Sequence, residues 1–297
     1  MSYKIGDALE GTSRSLIDAL DDPDRRIAEE KLGRTGDGRI HVILEGRDDV
    51  RFFKKHGDEE KHLYRILGSN LMINGKKAVI SEVNRTSDMG GVVDMDHDFQ
   101  GSKLGSSGRL YDTRDSCCLF SLVLGGKLRG DLIEATRRIL QSLLVNSDEF
   151  IKVNGKLRER ENEFIDSVKE ITAAKLFRGH LGDEGYQIGS KGEMEAKWSD
   201  IGDSRLCTSH LIPPDLVERF AEFKESHRED IEKAGINDHA LRDVLLLLLT
   251  DTLEEERVPK IGTINWKIGN AMVRFGRRED IQRILDGMEL AMSNEEE

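Results

Sequence analysis

Two short apolar runs in this chain end abruptly in acid. The first, His41-Val42-Ile43-Leu44, is followed by Glu45-Gly46-Arg47-Asp48-Asp49; the second, Gly91-Val92-Val93, is followed by Asp94-Met95-Asp96-His97-Asp98. An apolar run of that length predicts a buried strand of a parallel sheet. In open α/β sheets the chemistry collects at the carboxyl ends of the strands. Two neighbouring strands would therefore bring Glu45, Asp94 and Asp96 to one edge. Carboxylates gathered there repel one another unless a cation neutralises them, and hard oxygen donors suit Mg²⁺ or Mn²⁺.

The elements that must position these residues can be read around them. Ile40 to Leu44 is a strand, Asp48 to His56 a helix, Leu63 to Leu67 a strand, Gly75 to Asn84 a helix and Gly91 to Asp94 a strand. This alternation predicts a small parallel sheet with crossover helices on its faces. A glycine- and serine-rich loop, 101–108, leads to a short strand or turn at Leu110 to Asp112, and a helix is expected from Asp115 to about Leu124. Beyond residue 127 the pattern is mostly helical: Asp131 to Leu144, Leu157 to Phe177, Pro214 to Ala234, Asp238 to Leu253 and Glu279 to Met292. Asn237 should cap the fourth of these, whose Leu245 to Leu249 run is apolar all round and so buried. The expected organisation is a helical segment over 1–36, an α/β domain over 37–126 and a mainly helical region over 127–297.

Asp94, Asp96 and Asp98 alternate, so an extended chain would present them on one side at about 6.6 Å per two-residue step. An EF-hand loop also begins Asp-x-Asp-x-Asp, but it needs glycine where Phe99 stands and glutamate where Gly105 stands. The bland alternative is a solvated acidic turn at a strand end. The position of the triplet, 49 residues after Glu45 and in a β-α-β-α-β frame, favours a metal site.

Glu45-Gly46-x-x-Asp49 on one strand and Asp94-x-Asp96-x-Asp98 on a later one resemble the TOPRIM domain of primases, topoisomerases and OLD-type nucleases. The closer likeness is to OLD-like, AriB-like effector nucleases of bacterial antiphage defence, which work beside an ABC-type ATPase. The likeness covers roughly residues 38–125 and implies a Rossmann-like parallel sheet. It further implies that Glu45 is a general acid/base or metal ligand, that Asp94 and Asp96 hold Mg²⁺ with Asp98 as a further ligand, and that Asp49 binds a second metal or positions Glu45. One departure stands out. Related sequences often carry a third acidic motif ending in glutamate, whereas Asp112-Thr113-Arg114-Asp115-Ser116-Cys117 ends in cysteine. Asp112 and Asp115 can still contribute, and Asp115 equally suits a helix cap.

Basic residues near these motifs are candidates for phosphate. Lys103 and Arg109 flank the glycine-serine loop; Lys76 and Lys77 open a helix, where backbone amides favour an anion. Lys152, Lys156, Arg158 and Arg160, and separately Arg274, Arg277 and Arg278, are the best stretches for gripping RNA or DNA, although most such runs are solvated faces.

Composition sets the bounds. The chain has 297 residues, 37% of them hydrophobic and 34% charged, as in an ordinary globular protein. Its net charge of −12 is the wrong sign for a protein that binds phosphate backbones over its whole surface. Nucleic acid would be met through a local basic surface or presented by a partner subunit, and a homodimer is an open arrangement. Three cysteines, two of them adjacent, form no disulfide framework and no zinc spacing. The longest apolar run, Val244 to Leu249, is far short of a membrane span, and the amino terminus has no apolar signal core, so a cytoplasmic protein is expected. Three functions follow: a metal-dependent nuclease, a primase- or topoisomerase-like enzyme, and a non-catalytic subunit whose acidic cluster binds metal for structure alone.

Overall fold

The structure, a computed structural model, describes residues 39–66, 76–85, 89–94, 109–112, 128–183, 196–203, 211–276 and 278–295. The segment 1–36 and the expected helix from Asp115 to Leu124 lie outside these residues.

Four strands form one sheet: β1 (Ile40–Leu44), β2 (His62–Ile66), β3 (Met89–Val93) and β4 (Leu110–Asp112). Their order is β2-β1-β3-β4, and every neighbouring pair is parallel. The register sets Leu44 beside Ile66 on one side and beside Val92 on the other. Alternation sorts the side chains to two faces. Val42, Leu44, Tyr64 and Val92 join the large core, whereas Ile43, Val93 and Leu110 join a smaller one with Val79 and Val83.

Helix α1 (Arg47–His56) follows β1, and α2 (Lys76–Arg85) precedes β3. Charge favours α1: Asp48 and Asp49 stand in its first turn and Lys54, Lys55 and His56 in its last, each matching the helix dipole. Its Phe52 and Phe53 are fully buried against the sheet. The opposite face takes α2. Gly91 lets it approach: a Cβ there would lie 2.8 Å from methyls of both Val79 and Val83. Its neighbour Gly90 faces the other way, where a Cβ would stand 2.7 Å from Met288 Sδ.

The rest of the described chain is helical: α3 (Leu128–Leu143), α4 (Ser147–Glu159), α5 (Glu161–Asp183), α6 (Val217–Ser226), α7 (Arg228–Ala234), α8 (Asp238–Thr252), α9 (Ile261–Phe275) and α10 (Arg278–Glu295), with single 3₁₀ turns at Trp198–Asp200, Pro214–Leu216 and Glu255–Arg257. Helix α8 is the axis of this region. Leu241, Val244, Leu245, Leu248 and Leu249 are all fully buried, each contributing about 1.5–3 kcal/mol. Asn237 caps it, its side chain accepting from the Ala240 amide at 3.2 Å. The core does not stop at the sheet. Side chains of α8, α9 and α10 belong to the same cluster as Val42 and Phe52, so the helical region and the sheet share one interior.

Several boundaries differ from expectation. The helix expected to begin at Leu157 is the second of two: α4 precedes it, with Asn146 as cap and Val153 and Leu157 buried. The stretch from Pro214 to Ala234 breaks at His227 into α6 and α7. Helix α9 was not expected at all. Ile264, Ile268, Ala271 and Met272 lie on one helical face and are buried, but Asn265, Gly269 and Asn270 between them, and Gly262 before them, mask the period.

Candidate functional site

Strand order decides where the site forms. From β1 the chain moves outward to β2; from β3 it moves the other way to β4. The order of the strands therefore reverses between β1 and β3, the point at which open α/β sheets place their sites, at the carboxyl ends. Glu45 directly follows β1 and Asp94 directly follows β3. They meet there: the Asp94 backbone amide donates to Glu45 Oε1 at 2.7 Å. Both residues are part-exposed, so the pair has a buried strand behind it and an open side in front.

The turn after Glu45 is built by its own residues. Gly46 is the helix N-cap, and its amide donates to Asp49 Oδ2 at 2.9 Å. The Val50 amide closes the first turn on the Gly46 carbonyl at 3.2 Å. Asp49 is thus tied back one helical turn onto the residue next to Glu45. Burial removes water from its carboxyl, and the nearby charges of Glu45, Asp48 and Asp238 add to the effect. Against the Gly46 hydrogen bond, which works the other way, these push its pKa from 3.8 up to about 7. Asp238 opens α8, so the helical region contributes to the electrostatics of the site.

Asp48 takes a different partner. Its Oδ1 accepts from Arg51 Nη1 at 2.9 Å, and the other arm of the guanidinium, Nη2, donates to Asn270 Oδ1 on α9. Asn270 and its neighbour Gly269 are residues that sequence reasoning missed. The signal that could have found them is two poor helix formers side by side within an apolar helical stripe.

The remaining candidates fall in several places. Asp112 ends β4 in register with Val93, so its backbone lies at the same carboxyl edge, one strand out. Lys76 opens α2 and is part-exposed; Lys77 follows it in the same turn. Arg109 is corrected. It precedes β4 at the amino edge of the sheet, is 6% exposed, and sends Nη1 toward the Met89 carbonyl at 3.5 Å. That is the far end of β3 from Asp94, so Arg109 braces the sheet and does not face the carboxylates. Asp96, Asp98, Lys103, Asp115, Cys117 and Arg277 lie outside the described residues.

Among the described residues no group of three or more His, Cys, Asp or Glu is placed to hold a metal ion. The donors that are described, Glu45 and Asp94, are carboxylates on adjacent strand ends, of the hard oxygen type that suits Mg²⁺ or Mn²⁺. Two of the basic candidates are committed to the fold. Lys156 Nζ pairs with Asp251 Oδ2 at 2.5 Å. Arg160 donates to the carbonyls of Trp198 at 2.8 Å and Ile201 at 2.6 Å. Lys152, Arg158, Arg274 and Arg278 are exposed. No described helix is long and apolar enough to cross a membrane.

No family model, curated protein or solved structure matches the chain.

Proposed function

We propose that this chain is a metal-dependent nuclease of the TOPRIM kind, cleaving phosphodiester bonds in RNA, tRNA among the candidates, or in DNA. The observation that carries the reading is the meeting of Glu45 and Asp94 where the strand order of the parallel β2-β1-β3-β4 sheet reverses. Asp94 and Glu45, with Asp96 and Asp98 following in sequence, are the residues that would hold Mg²⁺ or Mn²⁺. Such an ion, when bound, would neutralise phosphate charge and lower the pKa of a water molecule. Glu45 has one oxygen on the Asp94 amide, which fixes its direction, and acts as the general base or acid at the attacking or leaving oxygen. Asp49 keeps the Gly46 turn closed and so holds Glu45 at the strand end.

The role proposed with this chemistry is that of a cytoplasmic effector in an antiphage defence system, held in check or presented by an ABC-type ATPase subunit, with a homodimer as one arrangement. The net charge of −12 fits substrate delivery by a partner better than unaided capture. One observation favours a second reading. Cys117 stands where the family that the motifs resemble often carries a glutamate, which suits a subunit that binds metal without cutting.

Cleavage of labelled RNA and DNA in Mg²⁺ and in EDTA, by wild type and Glu45→Gln, with and without the partner ATPase, separates the two. Glutamine keeps an acceptor for the Asp94 amide, so the fold is preserved while the acid/base is lost. The expected fall is about 10²–10⁴-fold. An unchanged rate removes Glu45 from the chemistry; no metal-dependent cutting under any condition leaves the non-catalytic reading.

A further inference from the structure

Helix α1 carries the acidic turn at its amino end, and α9 grips it along its length. At the far end His56 Nε2 lies 2.8 Å from the Val273 carbonyl. At the near end Arg51 divides its guanidinium between Asp48 and Asn270. Asp48 also rests on Gly269, where an added Cβ would lie 2.5 Å from its Cγ. Of these residues Asp48 belongs to the first turn of α1, with Asp49, and Arg51 follows directly after that turn.

We propose that Asn270 is a positioning residue for the carboxylate site: through Arg51 and Asp48 it fixes the first turn of α1, and with it Glu45 opposite Asp94. The inference rests on the nuclease reading for what the positioning serves, but its geometry does not. Two observations separate this role from mere stabilisation. The Arg51 and Asp48 side chains are 39% and 43% exposed, and ion pairs at such exposure contribute about 0–1 kcal/mol. Asparagine is also a poor choice inside a helix on propensity alone, where alanine would serve better. What Asn270 adds is an acceptor aimed across to α1. A site whose reacting groups move by about 1 Å can lose about 10²-fold in rate, so a contact of small stabilising value can still matter for chemistry.

The experiment compares wild type, Asn270→Ala and Asn270→Asp by three measurements: melting temperature, hydrogen exchange of the peptide spanning 45–52, and steady-state cleavage of labelled oligonucleotides in Mg²⁺. Asn270→Ala should melt within a few degrees of wild type. Exchange at the Gly46 and Val50 amides should rise about tenfold, for a loosening of about 1.4 kcal/mol, and kcat should fall about tenfold with KM unchanged. Asn270→Asp restores the acceptor to Arg51 and should return both readouts to wild type. Unchanged exchange in Asn270→Ala, or no rescue by aspartate, overturns the proposal. If wild type cuts nothing, the nuclease reading fails while the exchange measurement still decides whether Asn270 holds the turn. Should Asn270→Ala not fold, Gly269→Ala is the second variant. Its added Cβ must push the Asp48 carboxylate aside, and the same rise in exchange is required of it; no rise overturns the proposal.

Discussion

Among the described residues Asp49 has a carboxyl whose titration the fold shifts far upward, and replacing it with asparagine isolates that consequence. Its pKa is raised from 3.8 to about 7, first by burial and then by the neighbouring carboxylates. A folded state that binds the proton more tightly than the unfolded chain gains stability where that proton is present. The gain is complete below the unfolded pKa of about 4 and is lost as pH rises through about 7. At about 1.36 kcal/mol per unit the raw conversion is about 4 kcal/mol. Asp49 is part-exposed, and water screens the neighbouring charges, so about 2 kcal/mol is the working figure. The side chain introduced by Asp49→Asn would still offer an oxygen to the Gly46 amide and carries no charge at any pH. In EDTA, wild type should therefore lose about 2 kcal/mol relative to Asp49→Asn between about pH 4 and about pH 7.5. That corresponds to about 4–8 °C of melting temperature. Melts of both proteins across that range provide the assay, and titrating groups that do not face Asp49 cancel in the difference. Parallel pH profiles for the two proteins would refute the reasoning, because Asp49 would then titrate in the folded state as it does in the unfolded chain.

Two further outcomes test the site and the sheet behind it. Mg²⁺ or Mn²⁺ at a hundredfold excess over Kd should stabilise wild type by about 2.7 kcal/mol, and Asp96→Asn should melt no lower than wild type in EDTA yet lose that response; equal responses in thermal melts place the ion elsewhere. Gly91→Val should destabilise by about 1–3 kcal/mol in urea, because the new Cβ meets Val79 and Val83 at 2.8 Å, and a neutral result would mean that α2 does not press on β3 there.

The half of the site that lies on strands was legible in the sequence, and the reason is local. An unbroken apolar run followed at once by acid can be little else than a buried strand that surfaces at its end, so Glu45 and Asp94 could be placed at strand ends directly. Their meeting also required β3 to lie beside β1 and not beside β2, which the observed order supplies. Asn237 and the apolar α8 were equally plain, since a cap and an all-round leucine run each act within a few residues. Arg109 was misjudged for the converse reason. Its place beside a glycine-serine loop suggested an exposed cation, but a residue that enters a parallel strand stands at the amino edge of the sheet, the opposite edge from the carboxylates.

Helix α9 shows why the rest was hidden. Its apolar face, Ile264, Ile268, Ala271 and Met272, has a helical period, but Gly269 and Asn270 interrupt it with two of the weaker helix formers. Read alone, they argue against a helix. Both have a reason 219 positions away from Asn270, at Arg51, and at the adjacent Asp48. Gly269 leaves room for the Asp48 carboxylate, and Asn270 meets the guanidinium that holds it. Local preference gives way here because a second helix has to come close and carry a charged turn with it. A break in local consistency of this kind marks a place where the fold gives up propensity for a contact. That contact lies on the helix that begins two residues after Glu45, so the residues that made α9 hard to read join Asp238 of α8 in linking the helical region to the carboxylates.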